Sequence, residues 1–481
     1  MLKYLGMEYN TQKTKKMKTI IAFIIVTSIS IASVFSQDIS GDWSGKTKRG
    51  DKEIIFVFTI KNDNNSYSST MAVPTFRIDG IKPTATSFKN DTLIIDGSNV
   101  GMKYEGVYNK GLKQFEGTYK EGAIVLSLNL KRGAAKIADS RRPQEPIKPY
   151  PYYEEEVVFM NQGANVSLSG TLTLPSKKGK YPVAILISGS GPQDRDESYM
   201  GHKTFLVLSD HLTRQGIGVL RFDDRGHGQS TGDFGTATTA DFAKDVLSAV
   251  TYLKTRKDID LKHIGLIGHS EGGIIAPLVA NQTKDVSFIV LLASTGVSGT
   301  ELSVRQSKTL RGFAVKDEVT YEKNTRKAIA IVTSNKSTEE IKKELAVHYN
   351  AFLRPILTSL GAPEKNINAF IDNQVKTSIK PWSRYFLQYN PADEFKKLQI
   401  PVLSLNGSKD TQVDAKINQT GIKNALIKGN NKDYKILELE NLNHFFQECE
   451  TGKMNEYRKI DQTFSPIALK EISDWLLKRV K

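Results

Sequence analysis

The 481-residue chain has a single cysteine, Cys449. No disulfide can form within it, so it is not a small secreted domain held together by disulfides. Histidine is also scarce, with seven in all, and none stands in a His-Glu-x-x-His pattern that would hold a catalytic metal. Beyond residue 35 no apolar run approaches the length of a membrane span. Acid is outnumbered, 52 Asp and Glu against 67 Lys and Arg, for a net charge of +15. The lysines are spread along the chain and accompany no recognisable nucleic-acid motif, so the excess reads as a solvated surface without a nucleic-acid partner.

The N-terminus departs from this pattern. Lysines at 13, 15, 16 and 18 precede "TIIAFIIVTSISIASVF", and the small residue Ser36 follows. This is the order of an export signal, with Met17 as an internal start and cleavage near Ser36 or Gln37. Residues 1–36 hold five lysines and one glutamate, so their loss leaves +11. The expected product is periplasmic or secreted and keeps no stable membrane anchor. The alternative is an uncleaved anchor, for which the apolar run is short.

Three regions follow. Residues 38–140 carry short alternating segments, among them "EIIFVFTI", "TLIID", "MKYEGVYN", "KQFEGTYK" and "AIVLSLNL", separated by Gly, Asn and Asp turns. They predict a small all-β, barrel-like domain, and "GDWSGK" loosely resembles the ends of lipocalin-like barrels. Prolines at 143, 146, 149 and 151 mark an extended connector over 141–153. From 154 to 481 near-continuous apolar runs ("VAILIS", "IGVLRF", "HIGLIG", "FIVLLA", "PVLSLN", "YKILEL") alternate with amphipathic segments. That pattern predicts a doubly wound, mostly parallel α/β sheet. Phe242, Val246, Val250 and Leu253 form one helical stripe, and after Ser465-Pro466 a second stripe comprises Ile467, Ile472, Trp475 and Leu476. Residues 296–390 form a long helical excursion, with a capping box at Ser337–Glu340, and predict a cap over the carboxyl ends of the strands.

Within "IGLIGHSEGGIIAP", Ser270 lies between an apolar strand and an apolar helix, with Gly268 and Gly272 two residues to either side. This is the setting of a nucleophile elbow, although a serine there can equally be a helix N-cap. A serine nucleophile needs a histidine base and an acid to orient it. Only His348 and His444 follow Ser270; His348 falls in a cap helix, while His444 lies in the loop after "YKILELE". The turn after "PVLSLN" offers Asp410 and Asp414; Asp410 is read as the acid and Asp414 as the start of the next helix. Oxyanion donors are expected from the amide of Glu271 and from either Ser190 or Gly191 in "GSGPQDRDE". Asp194, Arg195 and Asp196 read as a structural charge cluster, and "DRGHGQSTG" as a turn beside the site because Thr231 stands where a dinucleotide fingerprint needs glycine. Trp382, Tyr385 and Phe386 are candidates for the pocket wall or the cap core.

Taken together, "SGSGPQDRDE", "RFDDRGHGQSTG", "IGHSEGGIIAPLVA", "PWSRYFLQYNPADEFKKLQIPVLSLNGSKDTQV" and "NHFFQECETG" resemble the α/β-hydrolase superfamily, and within it the bacterial serine carboxylesterases of the EstD-like group. The resemblance covers roughly residues 150–481. It implies hydrolysis of short-chain carboxylic esters through an acyl-enzyme on Ser270, with His444 as base and Asp410 as orienting acid, and it implies no cofactor and no metal. An N-terminal β domain also fits that group. Two rivals remain: a serine peptidase of the prolyl-peptidase type, and a glycan- or lipid-binding protein whose β domain is the working part.

Overall fold

The computed structural model describes residues 38–480 apart from 51, 64, 65, 77, 99, 100, 123 and 134–141. The expected export signal therefore lies outside the described residues. The chain divides into two compact units between Ala138 and Asp139.

The first unit is built of ten strands: β1 (Gly41–Arg49), β2 (Lys52–Asp63), β3 (Ser66–Val73), β4 (Ile78–Ile81), β5 (Ala85–Lys89), β6 (Thr92–Gly97), β7 (Met102–Asn109), β8 (Gln114–Glu121), β9 (Ile124–Ser127) and β10 (Leu130–Arg132). They form one antiparallel sheet in the order β4-β3-β2-β1-β10-β8-β7-β6-β5, with β9 on the flank of β8. The sheet curls so that β5 lies against β3, where the hydroxyls of Ser69 and Thr86 are 2.7 Å apart. The result is barrel-like, with an interior filled by Trp43, Phe58, Tyr104 and Phe115. Trp43 meets Phe115 edge-on at 4.6 Å, and its indole N–H donates to the Ile39 carbonyl at 2.8 Å. Strand β3 escapes the hydropathy pattern because Ser and Thr fill much of its length, and β4 and β5 because they are only four and five residues long.

The second unit carries a sheet of eight strands. These are β11 (Tyr153–Asn161), β12 (Val166–Leu174), β13 (Tyr181–Ile187), β16 (Gly218–Phe222), β17 (Ile259–His269), β18 (Phe288–Leu292), β19 (Val402–Gly407) and β20 (Tyr434–Leu439); a separate small hairpin comprises β14 (Ser198–Tyr199) and β15 (His202–Lys203). The sheet order is β11-β12-β16-β13-β17-β18-β19-β20. The first three strands pair antiparallel and the remainder parallel.

Helices cover both faces, as near-continuous apolar strands require. On one face α1 (Thr204–Arg214) contributes Phe205 and Leu208, while α12 (Pro466–Leu477) contributes Leu469, Ile472 and Trp475. On the other, α2 (Thr239–Lys254) contributes Val246 and Val250, α3 (Gly272–Ala280) Ile275 and Val279, and α10 (Ala415–Lys428) Ile422 and Leu426. Ile467 was expected on the buried stripe, but it is exposed. Ser465 caps this helix and Pro466 begins it, so the next residue turns to solvent.

Between β18 and β19 the chain leaves the sheet for α4 (Gly299–Thr309), α5 (Glu318–Val332), α6 (Thr338–Ser359), α7 (Glu364–Ser378) and α8 (Pro381–Gln388); the short α9 (Ala392–Phe395) leads back, and α11 (Met454–Tyr457) lies near the C-terminus. This cap has its own core, in which Ile341 and Leu345 meet Ile367 and Ile371. The Ser337–Glu340 capping box starts α6, and His348 is buried against the Asn324 carbonyl at 2.8 Å. The proline-rich stretch is pinned to the second unit by Arg142, which is buried and donates to the carbonyls of Gly201, Arg458 and Ile460. Among the described residues no helix is long and apolar enough to cross a membrane.

Backbone crowds backbone where β17 turns into α3. A Cβ on Gly268 would meet the Gly272 carbonyl oxygen at 2.0 Å, and one on Gly272 would meet that of Ile187 at 2.1 Å. Gly272→Ala should therefore destabilise the protein by about 1–3 kcal/mol, the usual range for forcing atoms into a filled space. Urea denaturation checks this, and an unchanged midpoint would contradict the crowding.

Candidate active site

Ser270 occupies the turn between β17 and α3 with φ of +52°, the left-handed region that a non-glycine residue enters only when its surroundings impose it. The bond from the Ser270 amide to the Leu292 carbonyl, 2.8 Å, holds the turn from the neighbouring strand. The helix-cap reading does not fit, because Glu271 is the residue at the start of α3 and Ser270 precedes it.

The strand ends and loops assemble around a cavity of about 260 Å³ whose wall includes Ser270, His444, Glu271 and Ser190. His444 is buried, and its Nδ1 lies 2.7 Å from Asp410 Oδ2. An ionised carboxylate only accepts hydrogen bonds, so Nδ1 carries the proton and Nε2 is left as the basic nitrogen. Nε2 has no partner among the described residues. The other oxygen of Asp410 accepts from the amides of Gln412 and Val413, 2.8 Å each, which fixes the carboxylate in its turn after β19. Asp414 caps α10, accepting from the Ile417 amide at 3.0 Å. The His444 loop is braced by Asn443, whose Oδ1 accepts from the amides of Phe445 and Gln447 at 3.0 Å.

Of the oxyanion candidates, Ser190 and Glu271 line the cavity and Gly191 does not. The backbone amides of Ser190 and Glu271 have no acceptor among the described residues. The amides beside them in the loop after β13 are taken: Gly189 N–H donates to Glu197 at 3.0 Å and Gln193 N–H to Asp224 at 2.9 Å. The expected charge cluster supports this loop. Arg195 pairs with Asp223 and with Glu156, Asp196 pairs with Arg221, and Asp194 accepts from the amides of Asp196 and Ser198. Asp224, in the turn after β16, also accepts from the Ser188 hydroxyl at 2.9 Å. Burial, with Glu271 and Glu197 nearby, pushes its pKa up to about 8.

Three further side chains belong to the site: Glu197 and His269, which sequence reading does not single out, and Trp382, which it offers only as pocket wall or cap core. Glu197 is buried behind the loop, with Oε1 2.7 Å from His269 Nδ1. His269 Nε2 in turn lies 3.0 Å from the His444 carbonyl. Both ring nitrogens therefore face acceptors, the arrangement of an imidazolium. Burial presses the His269 pKa down, but Glu197 and the His444 carbonyl outweigh it and hold it above the ordinary value. The one hint in the sequence is that a histidine ending an otherwise apolar strand must find polar partners. The third is Trp382 of the cap, whose indole N–H donates to Glu271 Oε1 at 2.7 Å. The Thr239 hydroxyl donates to the same oxygen, also at 2.7 Å. Phe386 shares the cavity wall with Trp382, whereas Tyr385 stacks on Tyr389 instead. Among the described residues no group of three or more His, Cys, Asp or Glu side chains could hold a metal ion.

The chain is similar to proteins built on this architecture, and the sheet order, elbow and cap are those of the α/β-hydrolase fold. Residues 202–354 match the family described as serine aminopeptidase, S33. The esterase EstD of Thermotoga maritima is 27% identical over 384 residues, 79% of this chain and 81% of that protein. An uncharacterised 31.7 kDa protein of Escherichia coli is 27% identical over half of this chain and 77% of its own length. Among solved structures, a Pyrococcus furiosus esterase superposes with a TM-score of 0.43 at 17% identity, covering 71% of this chain and 98% of that one.

The Glu197–His269 pair yields a pH-dependent prediction. Glu197→Gln removes one partner of a buried ion pair and should cost about 3–5 kcal/mol near pH 6. A raised histidine pKa contributes stability that is complete below the unfolded value near 6.5 and is lost as pH rises through the folded value. The gap between the two proteins should therefore narrow toward alkaline pH in denaturant titrations. A constant gap would mean that His269 is uncharged.

Proposed function

We propose that this relative of EstD, an α/β hydrolase with an N-terminal β domain, is a serine carboxylesterase acting through an acyl-enzyme on Ser270. The observation that carries the reading is that His444, on the wall of the cavity that also holds Ser270, has its Nδ1 2.7 Å from Asp410 behind it. Ser270 Oγ attacks the ester carbonyl while His444 Nε2 takes its proton. The carbonyl oxygen becomes an oxyanion received by the amides of Glu271 and Ser190. Collapse expels the alcohol, protonated by His444, and leaves an ester on Ser270. Water then attacks this ester with His444 again as base, and the carboxylic acid departs. A small cavity suits esters of short acyl chains.

The peptidase reading draws on the matched family. An aminopeptidase must hold a substrate ammonium group, and the acidic side chains on the cavity wall are Glu197 and Glu271. Glu197 is occupied by His269 and the Gly189 amide, and Glu271 by Thr239 and Trp382. Glu197 Oε2 is left without a donor, but the group is buried and already ion-paired with His269, and burial raises the Glu271 pKa. Neither offers an accessible, uncompensated carboxylate to an ammonium group, which favours the ester.

Ser270→Ala should abolish hydrolysis of p-nitrophenyl acetate while leaving the folded state intact by circular dichroism. Asp410→Asn should lower kcat by several orders of magnitude, as loss of the orienting acid does in other serine triads. Aminoacyl amides should not be cleaved by the unaltered enzyme, and cleavage faster than that of acetate would establish the peptidase. The proposal includes export. N-terminal sequencing of protein recovered from outside the cytoplasm should begin near Ser36 or Gln37, and an intact residue 1 would refute it.

A further inference from the structure

The cap contains a second cavity, of about 500 Å³ against about 260 Å³ at Ser270. The two share part of their walls: Gln306, Leu310, Trp382 and Phe386 line both. The cap cavity is lined largely by carbon, with Phe313, Tyr321, Ile329, Phe352, Leu353 and Phe370 from four different segments. Most of its polar side chains are bonded within the protein: Gln306, Ser307, Thr325 and Ser383 donate to backbone carbonyls. Tyr349 Oη and Ser378 Oγ are 3.1 Å apart. The one cation on the wall, Arg311, pairs with Glu318, donates to the Phe313 carbonyl and lies over the Tyr321 ring at 4.9 Å. Such a chamber has no charge to offer a charged ligand, and its volume is that of an ordinary small-molecule site.

The partition between the two cavities is fixed. Trp382 and Phe386 stack with ring centres 5.0 Å apart and planes 10° from parallel. The Trp382 indole is tied to Glu271, the residue next to Ser270. Whatever passes the partition is thereby placed relative to the nucleophile.

We infer that the cap chamber receives a hydrocarbon limb of the substrate, so that the natural ester carries a chain or ring much larger than acetyl. The inference rests on the esterase reading and extends it beyond short acyl groups. The limb can come from the acid or from the alcohol, and the shared chemistry is an uncharged apolar chain next to the scissile ester. Each methylene that enters the chamber should raise kcat/KM by up to about fourfold, the equivalent of about 0.8 kcal/mol.

The test uses the full chain and two substrate series: p-nitrophenyl acetate, butyrate, octanoate and decanoate, and the acetates of ethanol, butanol, octanol and decanol. A rise of kcat/KM with length in the first series assigns the chamber to the acid, and in the second to the alcohol. Ala328, buried in α5 on the chamber wall, is then enlarged. Ala328→Phe should lower the decanoyl-to-acetyl or decyl-to-ethyl ratio of kcat/KM at least tenfold, and Thr325→Phe on the same helix is read in the same way if the first variant does not fold. If the enzyme hydrolyses acetate and neither series rises, or if folded variants keep the ratio, the inference is overturned while the esterase stands. If no ester of either series is hydrolysed, both readings fall.

Discussion

The second unit is organised by a backbone crossing that tolerates no side chain. Gly268, Gly272 and the carbonyl of Ile187 stand so close that a single methyl group on either glycine would overlap main-chain oxygen. This contact brings the end of β17, the start of α3 and the loop after β13 to one point. It forces Ser270 into a left-handed conformation between them. The turn that exposes the hydroxyl and the loop that would receive an oxyanion are thus placed by one packing event. Loss of conformational freedom here is offset by burial of the apolar strands on either side.

Around that point the polar groups form a connected set of supports. One oxygen of Glu197, Oε1, holds both the Gly189 amide and His269, and His269 reaches the main chain of His444. Asp224 fastens the far end of the same loop through Ser188 and Gln193. Glu271 joins α2, α3 and the cap through Thr239 and Trp382. Burial raises the pKa values of both Asp224 and Glu271, and at Asp224 the nearby Glu271 and Glu197 add to it. The chemistry-bearing loops are consequently held as a group and not one by one.

Much of this was legible in the sequence wherever the requirement is local. The glycine spacing around Ser270, the helix-start position of Asp414 as against Asp410, the capping box at Ser337 and the alternation of buried strands with helical stripes are all statements about neighbouring residues. What stayed hidden depends on partners far along the chain. Nothing in "QDRDE" distinguishes Glu197 from Asp194 or Asp196, because its burial is set by His269, 72 positions away. The bond from Trp382 to Glu271 spans 111 positions. Ile467 was misread because helical periodicity alone does not say that the first turn of α12 emerges into solvent. In the first unit β3 was missed because serine and threonine crowd its first five positions, and β4 and β5 because four and five residues are too few to establish a two-residue period.

Arg142 shows where the second unit begins as a physical object. It comes from a stretch whose prolines read as a connector, yet its guanidinium is enclosed and supplies donors to the carbonyls of Gly201, Arg458 and Ile460. Beside it Gln144 bonds to Phe464, accepting from the amide and donating to the carbonyl. A boundary drawn at the first strand of the sheet would strip these carbonyls of their donors and loosen the chain between α11 and α12. The segment before β11 serves as a clasp for the far end of the polypeptide, so the smallest self-sufficient hydrolase unit is longer than its sheet and helices suggest.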